Sequence, residues 1–115
     1  MTPEELVREV LERVHASDPE VKELYAEDAV RYGHDGRVMH GRAEIGAFYE
    51  SLFPTSAPHP ELETLIVNPP FVAALIRLPG HDDAPVRYVD LFEVRDGAIR
   101  SLRVLMPPDR FGQRG

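Results

Sequence analysis

The chain contains no cysteine among its 115 residues. This absence excludes disulfide bonds, a thiolate nucleophile and thiolate-ligated metal sites. It also fits the reducing environment of the cytoplasm, where disulfides are rare, so we expect a cytoplasmic protein.

The sequence also lacks any apolar run of about 18 residues, the length that a membrane-spanning helix needs. Its first residues, MTPEE, are acidic, unlike those of a secretory signal. Positive charge is scarce too, since 13 Lys and Arg against 20 Asp and Glu give a formal net charge of −7. We therefore expect neither nucleic acid nor a membrane as a partner.

Motifs that mark common cofactor chemistry are missing. No serine-hydrolase elbow, phosphate-binding loop or dinucleotide fingerprint occurs. His34, Asp35 and His40 are close in sequence, but their spacing matches no zinc motif. The sequence therefore predicts no metal and no cofactor.

The length and the 43% hydrophobic content suit one domain with a real core. We expect this domain to span residues 1–106 and to be followed by a frayed tail, residues 107–115. Capping signals and helical spacing of apolar residues predict helices over residues 2–15, 18–25 and 41–53. The proline-rich residues 54–60 are expected to form an irregular connector, because proline ends a helix.

The second half of the chain switches to the two-residue period of β-strands. Asp96-Gly97 lies between two apolar runs and predicts a two-residue hairpin turn. With two short strands in the first half, the predicted strands cover residues 29–32, 37–40, 62–67, 71–78 and both arms of 86–105. This order predicts an α+β domain with three helices packed on a curved, mostly antiparallel sheet.

One acid, Asp90, lies in the middle of the last-but-one predicted strand. Because side chains alternate across a strand, it shares a face with Val86, Tyr88, Phe92 and Val94. Burying a carboxylate bare costs several kcal/mol or more, so this acid must be paired, protonated or turned toward a cavity. It is thus either a structural carboxylate with a partner or a site acid with a shifted pKa.

Three segments, residues 24–32, 41–53 and 88–105, resemble the NTF2-like superfamily of SnoaL-type cyclases, ketosteroid isomerases and limonene-epoxide hydrolases. The resemblance implies a cone-shaped fold with a pocket into which Asp90 points. In ketosteroid isomerase the matching acid is a protonated hydrogen-bond donor to a developing enolate.

Other parts of that isomerase site are not matched. Its oxyanion tyrosine aligns with Val10, and its base aspartate aligns with Gly33 or, after a one-residue shift, with His34. In the epoxide hydrolases an arginine stands two residues before the strand acid, where this chain has Tyr88. The resemblance therefore implies the fold and the acid, and it leaves the other catalytic groups open.

Three further side chains are candidates for the site beside the strand acid. His34 ends the first strand, where the pocket mouth is expected, and is either a general base or a solvated turn residue. Tyr88 either orients the acid or is ordinary packing, and Tyr32 either shares the pocket wall or packs under the first helix. Arg31 and Arg103 are interpreted as surface or ion-pair groups.

The rest of the pocket is expected to be apolar, which suits a small hydrophobic molecule that bears a carbonyl or hydroxyl group. The predicted lining lies on the third helix and the last two strands: Phe48, Phe53, Phe92, Leu102, Val104 and Met106. On the opposite face of the sheet, Val89 and Leu91 present apolar side chains where relatives form dimers. We therefore expect a homodimer through this outer face.

Three functions fit these observations. The first is a cofactor-free isomerase of a small carbonyl compound, with Asp90 as acid, Tyr88 or Tyr32 assisting, and His34 as base. The second is a non-catalytic module that binds a small molecule or dimerises. The third is a hydratase or dehydratase with a His34–Asp90 dyad, or an epoxide hydrolase-like enzyme.

Overall fold

The computed structural model describes residues 1–79 and 86–106. The predicted C-terminal tail, residues 107–115, lies outside these residues. One cluster of buried apolar side chains extends from the first helix to the last strand and joins the described elements.

Two α-helices and one 3₁₀ helix are present among the described residues. Helix α1 spans Pro3–His15, the 3₁₀ helix spans Pro19–Leu24, and α2 spans Gly41–Thr55. In the predicted capping box, the Thr2 hydroxyl accepts from the Glu5 backbone N–H, and the Glu5 carboxylate accepts from the Thr2 N–H. This box pairs two groups at a helix start, so α1 begins where the sequence predicted.

Within residues 1–79 and 86–106, six strands form one curved, open sheet. Their bounds are β1 Tyr25–Tyr32, β2 Val38–His40, β3 Glu61–Asn68, β4 Phe71–Leu78, β5 Val86–Arg95 and β6 Ala98–Leu105. They lie in the order β2-β1-β6-β5-β4-β3, and neighbours are antiparallel except for the parallel pair β1 and β6. The predicted α+β class with a mostly antiparallel sheet is confirmed.

Two predicted boundaries are wrong. Strand β1 begins at Tyr25, four residues before its predicted start, and the side chain of Tyr25 is fully buried. Burial in the core outweighs the local signal that placed this tyrosine in a helix. Helix α2 continues past Pro54, because a proline in the last turn removes only one helical N–H, and the Ser56 N–H donates to the Leu52 carbonyl at 2.8 Å to close the helix.

Strands β5 and β6 form the predicted hairpin. Asp96 and Gly97 have φ angles of 53° and 76°, and Arg95 pairs with Ala98 across them. Two consecutive positive φ angles are those of a type I′ turn, which matches the twist of the two strands. Together with one register shift beside the turn, this geometry sets the face of the sheet on which Asp90 lies.

The helices cover one face of the sheet, called here the inner face. On β5 the side chains of Asp90, Phe92 and Val94 are buried on this face, whereas their neighbours on the outer face are partly or fully exposed. Val7 of α1 and Ile45 of α2 are fully buried in the same cluster. Burying one such apolar side chain contributes about 1.5–3 kcal/mol, so this layer stabilises the fold and encloses Asp90.

Candidate functional site

A cavity of about 390 Å³ lies between the helices and the inner face of the sheet. Its wall includes side chains of α1, α2, β5 and β6 and of the turn that joins β1 to β2. Apolar side chains form most of the lining, with a small group of polar side chains among them. The volume falls within the usual range for sites that hold small molecules.

Asp90 lines this cavity and is the only buried charged side chain among the described residues, with 6% of its surface exposed. On the sheet it lies between Ala74 of β4 and Val104 of β6, whose side chains offer no hydrogen bond. Its Oδ1 atom is buried and has no hydrogen-bond partner within residues 1–79 and 86–106. The carboxyl group therefore meets the cavity without a protein partner in the described part of the chain.

The surroundings of Asp90 change its proton affinity. Burial raises the pKa of this carboxyl to about 7, because apolar surroundings disfavour the charged form, and the positive charge of Arg31 opposes the rise. An ordinary aspartate is fully ionised at neutral pH. Asp90 can instead hold or release a proton in this range, as a group that transfers protons must.

Arg31 is the main correction to the sequence analysis, which interpreted it as a surface or ion-pair group. Its side chain lines the cavity, and its guanidinium carbon lies 4.3 Å from the centre of the Phe48 ring, in a cation–π contact. The Nε atom is buried and has no hydrogen-bond partner among the described residues. The site therefore contains a cation as well as an acid.

The alternation along β1 explains why Arg31 was missed. Ala29 is fully buried, so Arg31, two residues on, shares its inner face, while Tyr32 points to the outer face. In the sequence the other face, with Val30 and Tyr32, is the more apolar one, which favours the opposite assignment. Only the pairing of β1 with β6, Arg31 beside Leu102, fixes which face is inner.

Two tyrosines support the wall next to this arginine. The hydroxyl groups of Tyr25 and Tyr49 lie 2.8 Å apart, and both side chains are buried. Burial raises the pKa of each phenol, and at Tyr49, which lines the cavity, the charge of Arg31 opposes the rise. Sequence reasoning treated both as helical packing residues, because a tyrosine at helical spacing gives no separate signal for a polar contact.

Three of the four predicted catalytic residues line the cavity together: Asp90, Tyr88 and His34. Tyr88 is partly buried, and burial together with the negative charge of Asp90 raises its pKa. His34 lies in the turn after β1 and is exposed, so it stands at the rim of the cavity.

Tyr32, the fourth predicted catalytic residue, is not among the lining residues. Its ring lies on the outer face of the sheet, where the guanidinium carbon of Arg103 is 3.9 Å from the ring centre. Tyr32 and Arg103 are also register partners on β1 and β6. The structure therefore separates Tyr32 from Asp90 by the thickness of the sheet.

Five of the six predicted pocket residues line the cavity: Phe48, Phe92, Leu102, Val104 and Met106. The sixth, Phe53, is not a lining residue and stacks on Tyr49, with ring centres 5.6 Å apart. It supports the wall from behind because it lies one helical turn beyond Tyr49 on α2.

In the described part of the chain, no three His, Asp or Glu side chains lie close enough together to hold a metal ion. The polar groups that could hold a ligand are instead Arg31, Tyr49, Tyr88 and Asp90 on the inner wall and His34 at the rim. This set combines one cation, one titratable acid and phenol hydroxyls within apolar surroundings. It can bind and polarise an oxygen atom of a small organic molecule.

The curved sheet, the helices on one face and the cavity between them define an NTF2-like α+β protein. The chain belongs to the SnoaL-like domain family, whose profile matches residues 7–102. The matched segment contains nearly all of the sheet, all of α2 and most of α1. The resemblance inferred from the sequence is confirmed at the level of the family.

Solved structures share this fold. An NTF2-like protein of unknown function from Burkholderia pseudomallei K96243 superposes with a TM-score of 0.83 at 19% identity, covering 98% of this chain and 96% of that one. A candidate polyketide cyclase from Sinorhizobium meliloti gives 0.77 at 20% identity, with 87% and 93% covered. At such identities the likeness establishes the fold alone.

A third solved structure contains a ligand. It is a hypothetical protein from Catenulispora acidiphila DSM 44928 with a ketosteroid isomerase-like fold, in complex with trimethylamine. Its TM-score is 0.77 at 18% identity, and the superposition covers 87% of this chain and 83% of that one. No curated protein matches the sequence. Within the described ranges, no helix has the length and apolar character to cross a membrane.

Proposed function

We propose that this protein binds a small apolar carbonyl compound and isomerises it by proton transfer without a cofactor. The observation that carries this proposal is the carboxyl group of Asp90, buried at the cavity wall with an unpartnered oxygen atom. An unpaired buried acid destabilises a fold, and such groups cluster at functional sites. A carbonyl oxygen in the cavity would give this acid the hydrogen-bond partner that it lacks.

In the proposed reaction a base removes a proton from the carbon next to the carbonyl group. As negative charge develops on the carbonyl oxygen, the O–H of neutral Asp90 donates to it and stabilises the enolate. The proton then returns two carbons further along, so a double bond moves into conjugation and nothing is consumed. His34 is the proposed base, and Tyr88, on the same strand face, helps to orient the acid.

The relatives support the ligand-binding part of this proposal. One protein of the same fold is described as a candidate polyketide cyclase, and another is in complex with trimethylamine. Members of this fold therefore include ones that hold a small molecule. The cavity of this chain has the volume for a ligand of comparable or larger size.

The test is turnover of a β,γ-unsaturated ketone by the Asp90→Asn variant. The amide keeps the shape of the acid, but its N–H is a weaker donor to the enolate than the O–H, so turnover is expected to fall by up to about 10²–10³-fold. The matched control is Asp28→Asn, which changes an exposed acid that pairs with Arg100 at 3.4 Å. The control should keep its turnover, and unchanged turnover in Asp90→Asn would remove Asp90 from the mechanism.

A binding module without catalysis is the second candidate. Val10, which occupies the position of the isomerase oxyanion tyrosine, is 1% exposed and lines the cavity, so the wall is apolar there. A calorimetric titration with the same ketone, beside the isomerisation assay, separates the two candidates. Saturable binding with no turnover across the neutral pH range favours the module.

We also infer a homodimer through the outer face of the sheet. In the sheet register Leu91 lies beside Ala73 and then Ile66, and Val89 lies beside Leu105, so these side chains form one apolar patch. Ile66 is 65% exposed and Leu105 is 52% exposed in the single chain. Apolar patches of this kind mark association surfaces, and a second copy would bury them.

Sedimentation velocity tests this dimer. The wild-type protein is expected to sediment as a dimer, and the double variant Ile66→Glu/Leu105→Glu as a monomer, because two buried carboxylates oppose association. Val67→Glu is the matched control, since Val67 is 40% exposed on the same strand but lies on the other face. A monomeric wild-type protein at every concentration would contradict the inference.

A further inference from the structure

Two side chains of opposite charge face one cavity and leave atoms unpaired. Arg31 Nε and Asp90 Oδ1 are both buried, and neither has a hydrogen-bond partner among the described residues. A buried donor or acceptor left unpaired destabilises the fold, and more so when it is charged. A ligand that pairs both groups would recover this free energy when it binds.

Arg31 is held in position from two sides. Its guanidinium carbon lies 4.3 Å from the centre of the Phe48 ring, and its charge opposes the rise that burial causes in the pKa of Tyr49. Gly33 leaves room beside it, because a Cβ built there would lie 3.5 Å from Arg31 Nη1 and 3.0 Å from Asp35 Oδ1. The guanidinium is therefore preorganised, with space along one edge.

The other polar groups of the cavity do not neutralise Arg31 directly. They are Tyr49 of α2, Ser56 just after α2, Tyr88 of β5, and His34, Asp35 and Arg37 of the β1–β2 turn. Helix α1 and strand β6 contribute only apolar side chains to the lining. Asp35 is engaged in its own turn, where its Oδ1 accepts from the Arg37 N–H at 3.1 Å, and this contact lowers its pKa.

When Asp90 is protonated, Arg31 is the cation on the inner wall, and it forms no ion pair within 4 Å in the described part of the chain. An unbalanced positive charge in apolar surroundings favours the binding of an anionic ligand, because opposite charges attract more strongly at low dielectric constant. A guanidinium presents a planar fork of donors that matches the two oxygens of a carboxylate. The protonated acid adds one O–H donor from β5, which is separated from β1 by β6 in the same sheet.

We propose that Arg31 and neutral Asp90 together bind the carboxylate of a small apolar acid, whose body fills the cavity against Phe48 and Phe92. The carboxylate accepts from the guanidinium and from the Asp90 O–H, while aromatic and aliphatic side chains enclose the rest. This inference rests on the cavity being a ligand site, as in the proposed function, but it requires no catalysis. Because one O–H donates to one acceptor, such an acid would compete with the carbonyl compound of the proposed function for Asp90.

The site predicts a specific pH dependence. Ionised Asp90 repels a carboxylate, so anion binding requires its protonated form, and the pKa of Asp90 is raised to about 7 by burial. The protonated fraction falls roughly tenfold from about pH 6 to about pH 8, so the affinity for a permanently ionised acid should fall roughly tenfold as well. His34 and the Asp35–Arg37 contact stand in the turn at the rim, and Arg31 is the one charged group among the described residues that shifts the Asp90 pKa.

The experiment is isothermal titration calorimetry with phenylacetate, and with phenylacetamide as its uncharged equivalent. Phenylacetate is expected to bind roughly tenfold more tightly at about pH 6 than at about pH 8, whereas the amide should change by less than about twofold. In Asp90→Asn the acid is permanently neutral, so phenylacetate binding should lose its pH dependence and stay tight at about pH 8. This result is separate from turnover, which the same variant is expected to lose.

Variants of the arginine complete the test. Arg31→Gln should weaken phenylacetate binding at least tenfold at about pH 6 and leave phenylacetamide binding within about threefold. Arg31→Lys keeps the charge, so it should recover part of the affinity and shows whether a loss comes from charge or from misfolding. Arg103→Gln, which changes the arginine stacked on Tyr32 on the outer face, should bind like the wild-type protein.

Three results would overturn the proposal. The first is equal affinity for phenylacetate and phenylacetamide at about pH 6. The second is an unchanged phenylacetate affinity in a folded Arg31→Gln protein, with circular dichroism to establish the fold. The third is no detectable binding of phenylacetate to the wild-type protein, and this result would leave turnover of an uncharged ketone unaffected.

Discussion

Charged side chains on the two faces of the sheet differ in whether they form ion pairs. On the outer surface ion pairs occur: Arg77 with Glu61 at 2.6 Å across the neighbouring strands β4 and β3, and Arg87 with Glu63 at 3.0 Å from β5 to β3. On the inner face, Asp90 has no partner for its Oδ1 and Arg31 none for its Nε among the described residues. Ion pairs therefore form on the outer face, where water already screens charge, whereas these two inner groups, where charge is costly, form none in the described part of the chain.

This difference indicates what each face is for. Exposed ion pairs contribute about 0–1 kcal/mol, so their arrangement is governed by solubility and local packing. Buried unpaired charges destabilise the fold, and proteins retain such features mainly at functional sites. The inner face thus has the character of a binding site, and the outer face that of an ordinary or associating surface.

The largest expected effect concerns Asp90 and the pH dependence of stability. Its pKa is raised in the folded state, so its contribution to stability is fully present below about pH 3.8 and is lost as the pH rises through about 7. A shift of about three units corresponds to roughly 4 kcal/mol at 1.36 kcal/mol per unit. Relative to the wild-type protein, Asp90→Asn should therefore gain on the order of 3–4 kcal/mol in free energy of unfolding between about pH 3.5 and about pH 8.

Urea unfolding at several pH values measures this gain. Asp28→Asn is the control, because that exposed acid pairs only with Arg100 on the surface. If the free energy of unfolding changed with pH in the same way in Asp90→Asn and in the wild-type protein, the pKa of Asp90 would be no more perturbed than that of a surface acid. That result would contradict the contrast drawn above between charged groups on the inner face and those on the outer face.

The next effect concerns the tyrosine pair behind the cavity wall. Tyr49→Phe leaves the buried Tyr25 hydroxyl without its 2.8 Å partner, which should cost about 1–3 kcal/mol in free energy of unfolding. The double variant Tyr25→Phe/Tyr49→Phe removes both hydroxyls and should recover part of that loss. Denaturant unfolding of the single and double variants measures the coupling, and purely additive losses would show that the two hydroxyls do not interact.

The smallest effect is expected on the outer face. Arg87→Gln breaks the contact with Glu63, both partners being at least partly exposed, and should leave the free energy of unfolding close to that of the wild-type protein. The pKa of Glu63, which Arg87 lowers by its hydrogen bond, should return toward that of an ordinary glutamate. A loss comparable to that of a buried pair would mean that the outer face is more than a solvated surface.

The sequence supplied most of the fold because its signals were local. The capping box at Thr2 and the Asp96-Gly97 turn each determine a conformation within a few residues, and the alternation around Asp90 places the acid on the buried face. Each of these rests on backbone geometry that the residue types themselves prefer.

The parts of the site that escaped prediction depend on long-range pairing. Arg31 reaches the cavity because β1 pairs with β6 in a register that turns Ala29 and Arg31 inward, and nothing within β1 specifies that choice. The partner of Tyr25 is Tyr49, which lies 24 residues further along, so their contact exists only in the folded chain. The local pattern of apolar residues in a helix or a short strand does not predict such long-range contacts.

The most direct measurement is a carbon-13 NMR titration of the Asp90 carboxyl group in the free wild-type protein. The account predicts a midpoint near pH 7, because burial raises the pKa of this group, and a higher midpoint in Arg31→Gln, because the opposing charge is gone. A midpoint near the ordinary aspartate value, unchanged by the arginine substitution, would contradict the claim that the cavity holds an unpaired acid.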